Sequence, residues 1–61
     1  MRQTLTLYRD NIRIIRTTGP EQILDIEAGE YLVDAPLREQ LSEIWPMDEY
    51  MGSLILEVTN G

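Results

Sequence analysis

The side chains with the most chemical potential in this chain are three carboxylates set close together, Asp25, Glu27 and Glu30. Paired carboxylates can act as general acid and base, and clustered ones can hold calcium. A calcium loop, however, interleaves Asp and Asn with a Gly at a fixed turn position, and a glycosidase needs a groove the size of a sugar between its carboxyls. Neither pattern occurs here, so the ordinary reading of these acids is a solvated face. Ser42 and Ser53 offer hydroxyls, but the chain contains no His, Cys or Lys to activate them. Nucleophilic triads, zinc sites and phosphate loops all need groups or glycine spacings that are missing. The expectation is a protein that is not an enzyme, uses no cofactor or metal, and acts by binding.

Charge is the distinguishing property. The net charge is −6 and every basic residue is Arg. Divided at Pro20, residues 1–20 hold four Arg against Asp10, a net of +3, while the other 41 residues hold ten acids against Arg38, a net of −9. Such asymmetry points to charged partners and says nothing about fold. Arg9, Arg13 and Arg16 raise the question of phosphate binding, for which Arg is well suited. A chain of this net charge nevertheless repels a polyanion as a whole. Direct nucleic-acid binding is not expected, and these arginines can instead pair with the acids of the other half.

Sixty-one residues lie near the lower limit for a domain without disulfides or metals, and such a chain buries only ~60 % of its unfolded surface. A single domain over 1–61 is expected. The 43 % hydrophobic content is too rich for disorder, but the body is too small for a deep cleft, since ligand pockets usually reach ~300 Å³. Lack of Cys suits a reducing interior, so a cytoplasmic location is expected. No apolar run approaches the ~18 residues of a membrane span, and Met1-Arg2-Gln3-Thr4 leads into alternation instead of a signal-peptide core.

The elements that must position these charges follow from periodicity. Residues 3–8 and 11–17 alternate with period two, and Asp10-Asn11 between them tolerates positive φ, which predicts a hairpin. A two-residue turn pairs residue 7 with 14 and residue 5 with 16, placing Leu5, Leu7, Ile12 and Ile14 on the core face and turning Arg13 away from Arg9 and Arg16. After the turn at Thr18-Gly19-Pro20-Glu21, residues 23–27 and 30–33 flank Ala28-Gly29 as a second hairpin. Its core face is Leu24, Ile26, Tyr31 and Val33, and its other face gathers Asp25, Glu27 and Glu30, with Asp34 near the strand end.

Asp34-Ala35-Pro36 reads as a helix start, with Asp as cap and Pro in the first turn. The helix is predicted over 35–45, with Leu37, Leu41, Ile44 and Trp45 on one stripe and Glu39 and Glu43 on another face, until Pro46 stops it. Residues 47–52 form a loop or single turn, and residues 53–59 alternate as a last strand. The expected architecture is α+β: a small antiparallel sheet of about five strands in the order β-β-β-β-α-β, with one amphipathic helix packed on one face.

Asp25 and Glu27 at i, i+2 on a strand lie ~6.6 Å apart, and Glu39 and Glu43 at i, i+4 on a helix lie ~6 Å apart. Two steps along one DNA strand advance ~6.8 Å, so carboxylates at these intervals can enter a groove built for phosphates. In size, acidity and want of catalytic groups the chain is similar to the small inhibitors that phages and mobile elements direct at nucleic-acid-handling defences, including anti-CRISPR and anti-restriction DNA mimics. That likeness is one of composition and covers no motif. It implies a monomer or homodimer that binds a basic, nucleic-acid-binding protein through Asp25, Glu27, Glu30, Asp34, Glu39, Glu43, Asp48 and Glu49, without touching membranes. Two alternatives come from other classes: an antitoxin whose Arg-bearing hairpin contacts DNA while the acidic remainder covers a toxin, and a structural subunit that pairs through an exposed edge strand at residues 53–59.

Overall fold

Alternating Thr and Leu build strand β1 (Gln3–Arg9), and Asp10 and Asn11, at φ 53° and 64°, reverse the chain into strand β2 (Ile12–Gly19). Both turn residues sit in the left-handed region that two-residue hairpin loops require. The computed structural model describes residues 2–61; Met1 lies outside them. Strand β3 (Gly29–Leu32), helix α1 (Ala35–Leu41), a 3₁₀ turn (Met47–Glu49) and strand β4 (Ile55–Asn60) follow. The strands form one antiparallel sheet in the order β2-β1-β4-β3. The fold is therefore α+β with a helix on an antiparallel sheet, but with four strands in place of five.

The missing strand is the first half of the expected second hairpin. Residues 23–27 are irregular, and the place between β1 and β3 is taken by β4. The segment instead carries the chain from the β2 edge to the β3 edge, a crossing of about three interstrand spacings, or ~14 Å. Leu24 and Ile26 keep the core side that alternation assigned to them, and Ile23 packs against the core as well. Leu24 is buried, and Ile26, Tyr31 and Val33 pack against the core.

Gln3 makes this crossing possible. Its side chain is fully buried, and its Oε1 accepts hydrogen bonds from the backbone N–H groups of Ile23 and Leu24, both at 2.7 Å. Its Nε2 donates to the Leu24 carbonyl at 3.1 Å, where the Gln22 side chain also donates at 2.7 Å. Buried backbone groups need partners. One amide side chain supplies them where a strand is absent.

The hairpin register holds only at its tip. Arg9 pairs with Ile12 and Tyr8 with Arg13, as a two-residue turn dictates, but Leu7 pairs with Ile15, Thr6 with Arg16 and Leu5 with Thr17. The extra residue is Ile14, a β-bulge. It lets both Ile14 and Ile15 pack against the core, whereas Ile12 at the tip is exposed. Beyond the bulge every β2 side chain changes face relative to the unbulged register. Arg13 and Arg16 consequently lie on the same face, opposite Tyr8 and Thr6.

The core lies between one face of the sheet and the layer formed by α1, the 3₁₀ turn and the crossing segment. Leu5, Leu7, Leu41, Leu54, Leu56 and Val58 are fully or almost fully buried, each worth about 1.5–3 kcal/mol on transfer from water. Asp34 caps α1 by accepting from the Leu37 N–H at 3.0 Å, with Pro36 in the first turn. The helix is shorter than the predicted 35–45. Ser42 caps its end; beyond it the Glu43 and Ile44 N–H groups make tighter turns to Gln40 and Leu41, and the Trp45 N–H also donates to Leu41. Trp45 packs against the core with Ile44. Among the described residues no helix is long and apolar enough to cross a membrane.

The last strand is not an edge. β4 lies inside the sheet, paired to β1 on one side and β3 on the other, because a helix-length connection from β3 drops it next to its chain neighbour. The free edges are β2 and β3, so pairing with a neighbouring protein through residues 53–59 is excluded.

Candidate functional site

The eight expected partner-binding acids do not form one surface. Asp25 and Glu27 sit exposed on the irregular crossing, so the strand spacing that suggested a phosphate interval does not exist there. Glu27 is held through its carbonyl, which accepts from the Tyr31 hydroxyl. Glu30 does stand on a strand, but on the face of β3 away from the core, directly opposite Glu57. Asp34 is used as the helix cap.

Of the remaining four acids, three line adjoining grooves. Glu39 and Glu43 line one groove of about 340 Å³ with Pro36 and Gln40. Glu39 also borders a second groove of about 350 Å³, where it meets Asp48 around Met47 and Met51. Glu49 follows on the same 3₁₀ turn. All four carboxylates are exposed, while the buried Leu37, Leu41 and Met47 anchor the backbone that carries them. Among the described residues no three acids converge as a metal cage would require.

Arg38 is the one base in this layer, and it is turned inward. Its Nη1 donates to the Met47 and Tyr50 carbonyls at 3.2 and 2.8 Å, and its Nη2 donates to the Gly52 carbonyl at 3.2 Å. Three carbonyls of the 47–52 loop are thus gathered on one planar group, a task for which guanidinium geometry is suited. Arg9 behaves similarly, donating to the Met51 carbonyl at 3.3 Å. Both reach backbone oxygens, which for Arg9 stand in place of the carboxylates expected as its partners.

The other face of the sheet carries a second group of charges, in which Glu57 joins the already considered Glu30, Arg13 and Arg16. In register across the four strands stand Arg16, Thr6, Glu57 and Glu30, and beside them Arg13, Tyr8, Ile55 and Leu32. The Tyr8 hydroxyl donates to a Glu57 carboxylate oxygen at 3.3 Å. Thr6, only 4 % exposed although it faces away from the core, is flanked by the longer Arg16 and Glu57 chains. Alternation along β4 puts Glu57 on this side, away from the buried Leu56 and Val58. What no alternation could supply was its neighbour, since β4 pairs with strands far away in sequence. A shallow depression of about 450 Å³ lies here, lined by Tyr8, Glu30, Leu32, Ile55 and Glu57 and by the hairpin tip. Comparison with protein-family models, curated proteins and solved structures finds no match for the chain.

Proposed function

We propose that this chain is a non-catalytic interaction protein whose acidic helical layer binds a basic protein at a surface made for nucleic acid. One observation carries the reading. Glu39, Glu43 and Asp48 line adjoining grooves on α1 and the turns that follow it, with Glu49 next in the chain, while the one arginine among them directs three hydrogen bonds to loop carbonyls. Exposed carboxylates on a rigid, well-anchored layer meet Arg and Lys placed to receive phosphate, which favours rapid and salt-sensitive association. Mimicry of DNA, as in anti-CRISPR or anti-restriction inhibitors, is then a property of this layer and not of Asp25 and Glu27.

The antitoxin alternative gains Arg13 and Arg16 on a common face, but Glu30 and Glu57 share that face and oppose phosphate. The acidic-layer reading is therefore preferred.

A partner isolated with the chain from its own cells should be a basic nucleic-acid-binding protein, and duplex DNA or RNA should displace the chain from it. Neutralising Glu39→Gln, Glu43→Gln and Asp48→Asn together should weaken the complex at least ~10-fold, about 0.5 kcal/mol for each exposed charge contact. A partner that is not displaced by nucleic acid and binds the triple variant as well as the wild type would overturn the reading.

A further inference from the structure

The structure assigns the open face of the sheet as a dimer interface, occupied by a second copy of this chain. Of the two faces this one is locally balanced in charge: Arg13 and Arg16 on edge strand β2 stand against Glu57 and Glu30 on β4 and β3. Beside the two carboxylates, on the same strands, stand exposed apolar side chains, Leu32 at 70 % and Ile55 at 44 % accessibility. The acid excess lies on the other side of the molecule, on the helical layer and the crossing.

Two features identify the occupant. Glu30 and Glu57 are direct cross-strand partners, and like charges so placed destabilise a sheet. A cation laid over the pair would relieve that repulsion. The same lateral row also contains Arg16, on the opposite edge, at ~14 Å across three interstrand spacings. A closed dimer uses one patch on both copies, so a two-fold axis can bring that cation to the carboxylates.

The charge pattern selects the axis. Rotation about a line parallel to the strands, between β1 and β4, lays β2 of one copy over β3 of the other. Arg16 then stands over Glu30 and Glu57 of the second copy, twice, and Tyr8 lies over Ile55. Rotation about a line perpendicular to the strands would instead set Arg16 on Arg16. The result is an aligned two-sheet sandwich, a common packing for β-sheets, with both acidic layers facing outward.

The molecule's two longer extents are 30 and 22 Å, so the face offers on the order of 500 Å² per copy, the size of a weak and reversible association. Sedimentation equilibrium from ~10 µM to ~1 mM covers the affinity such an area supports. Wild type should pass from monomer to dimer in that range. Arg16→Glu and Glu30→Arg should each shift the transition to at least ~10-fold higher concentration, since like charges then face each other at both contacts. An equimolar mixture of the two variants should recover a dimer near wild-type affinity, because both contacts become opposite-charge pairs again.

A wild type that stays monomeric across the range overturns the assignment. So does a dimer that survives both single changes, or a mixture that fails to associate. Both positions are exposed, and circular dichroism checks that each variant folds. Should either fail to fold, Leu32→Asp replaces it with the same expected ~10-fold weakening, and an unchanged dimer overturns the assignment. The acidic layer takes no part in this contact, so the outcome leaves the partner reading above untouched.

Discussion

Gln3 acts for Leu24 as a neighbouring strand would. Its side-chain oxygen accepts from the Leu24 N–H at 2.7 Å and its nitrogen donates to the Leu24 carbonyl at 3.1 Å, across 21 residues of sequence. The pair ties the crossing segment to the first strand, and so closes the end of the core that has no fifth strand.

Removing this amide should be among the most damaging single changes in the chain. Gln3→Leu leaves the Ile23 and Leu24 N–H groups without their partner, and each orphaned buried group costs roughly 1–3 kcal/mol. A loss of about 3 kcal/mol in urea denaturation is expected, a large share of the stability of so small a domain. Gln3→Glu keeps the acceptors but buries a charge and loses the donor to Leu24, so it should not restore stability. A Gln3→Leu midpoint equal to wild type would show that the crossing holds without the amide.

Arg38 should prove structural. Arg38→Ala removes the donors to Met47, Tyr50 and Gly52, and a fall of about 1–3 kcal/mol in unfolding free energy is expected. Because the three carbonyls belong to one loop, native-state hydrogen exchange should speed up first at Tyr50 and Glu49, whose N–H groups bond to Met47 and Pro46. Lys has one ammonium where Arg presents a planar fork, so Arg38→Lys should recover only part of the loss. Equal exchange protection at residues 49 and 50 in wild type and Arg38→Ala would contradict this role.

Asp34 should separate from the other acids in the same way. As the cap of α1 it accepts from Leu37, and Asp34→Ala should cost about 1 kcal/mol in thermal or urea unfolding. Asp34→Ser, which keeps a capping oxygen without the charge, should retain most of that stability. If charge alone mattered, both variants would behave alike.

Much of the candidate site was legible before the fold was known. Asp34-Ala35-Pro36 announced its own helix start, and Asp10-Asn11 its turn, because capping and positive φ are demands a few adjacent residues meet by themselves. Glu39 and Glu43 share a groove for the same local reason. The adjacent Ile14-Ile15 also breaks strict alternation and marks where the bulge falls. Asp25 and Glu27 show the opposite case. Their alternation was real, and it correctly buried Leu24 and Ile26, but alternation reports burial and not pairing.

The amino-acid sequence by itself determined the class of fold, the hairpin turn and the helix start, the burial of Leu5, Leu7, Leu24, Leu37 and Leu41, and the excess of exposed acid. These depend on propensity, periodicity and charge, which act over a few residues. Tertiary structure alone decided that β4 enters the middle of the sheet, that residues 23–27 cross beneath it held by Gln3, and that Arg16 stands in one row with Glu57 and Glu30. Strand partners are chosen by competition among segments distant along the chain, and the winner is settled by which arrangement satisfies all buried backbone groups at once.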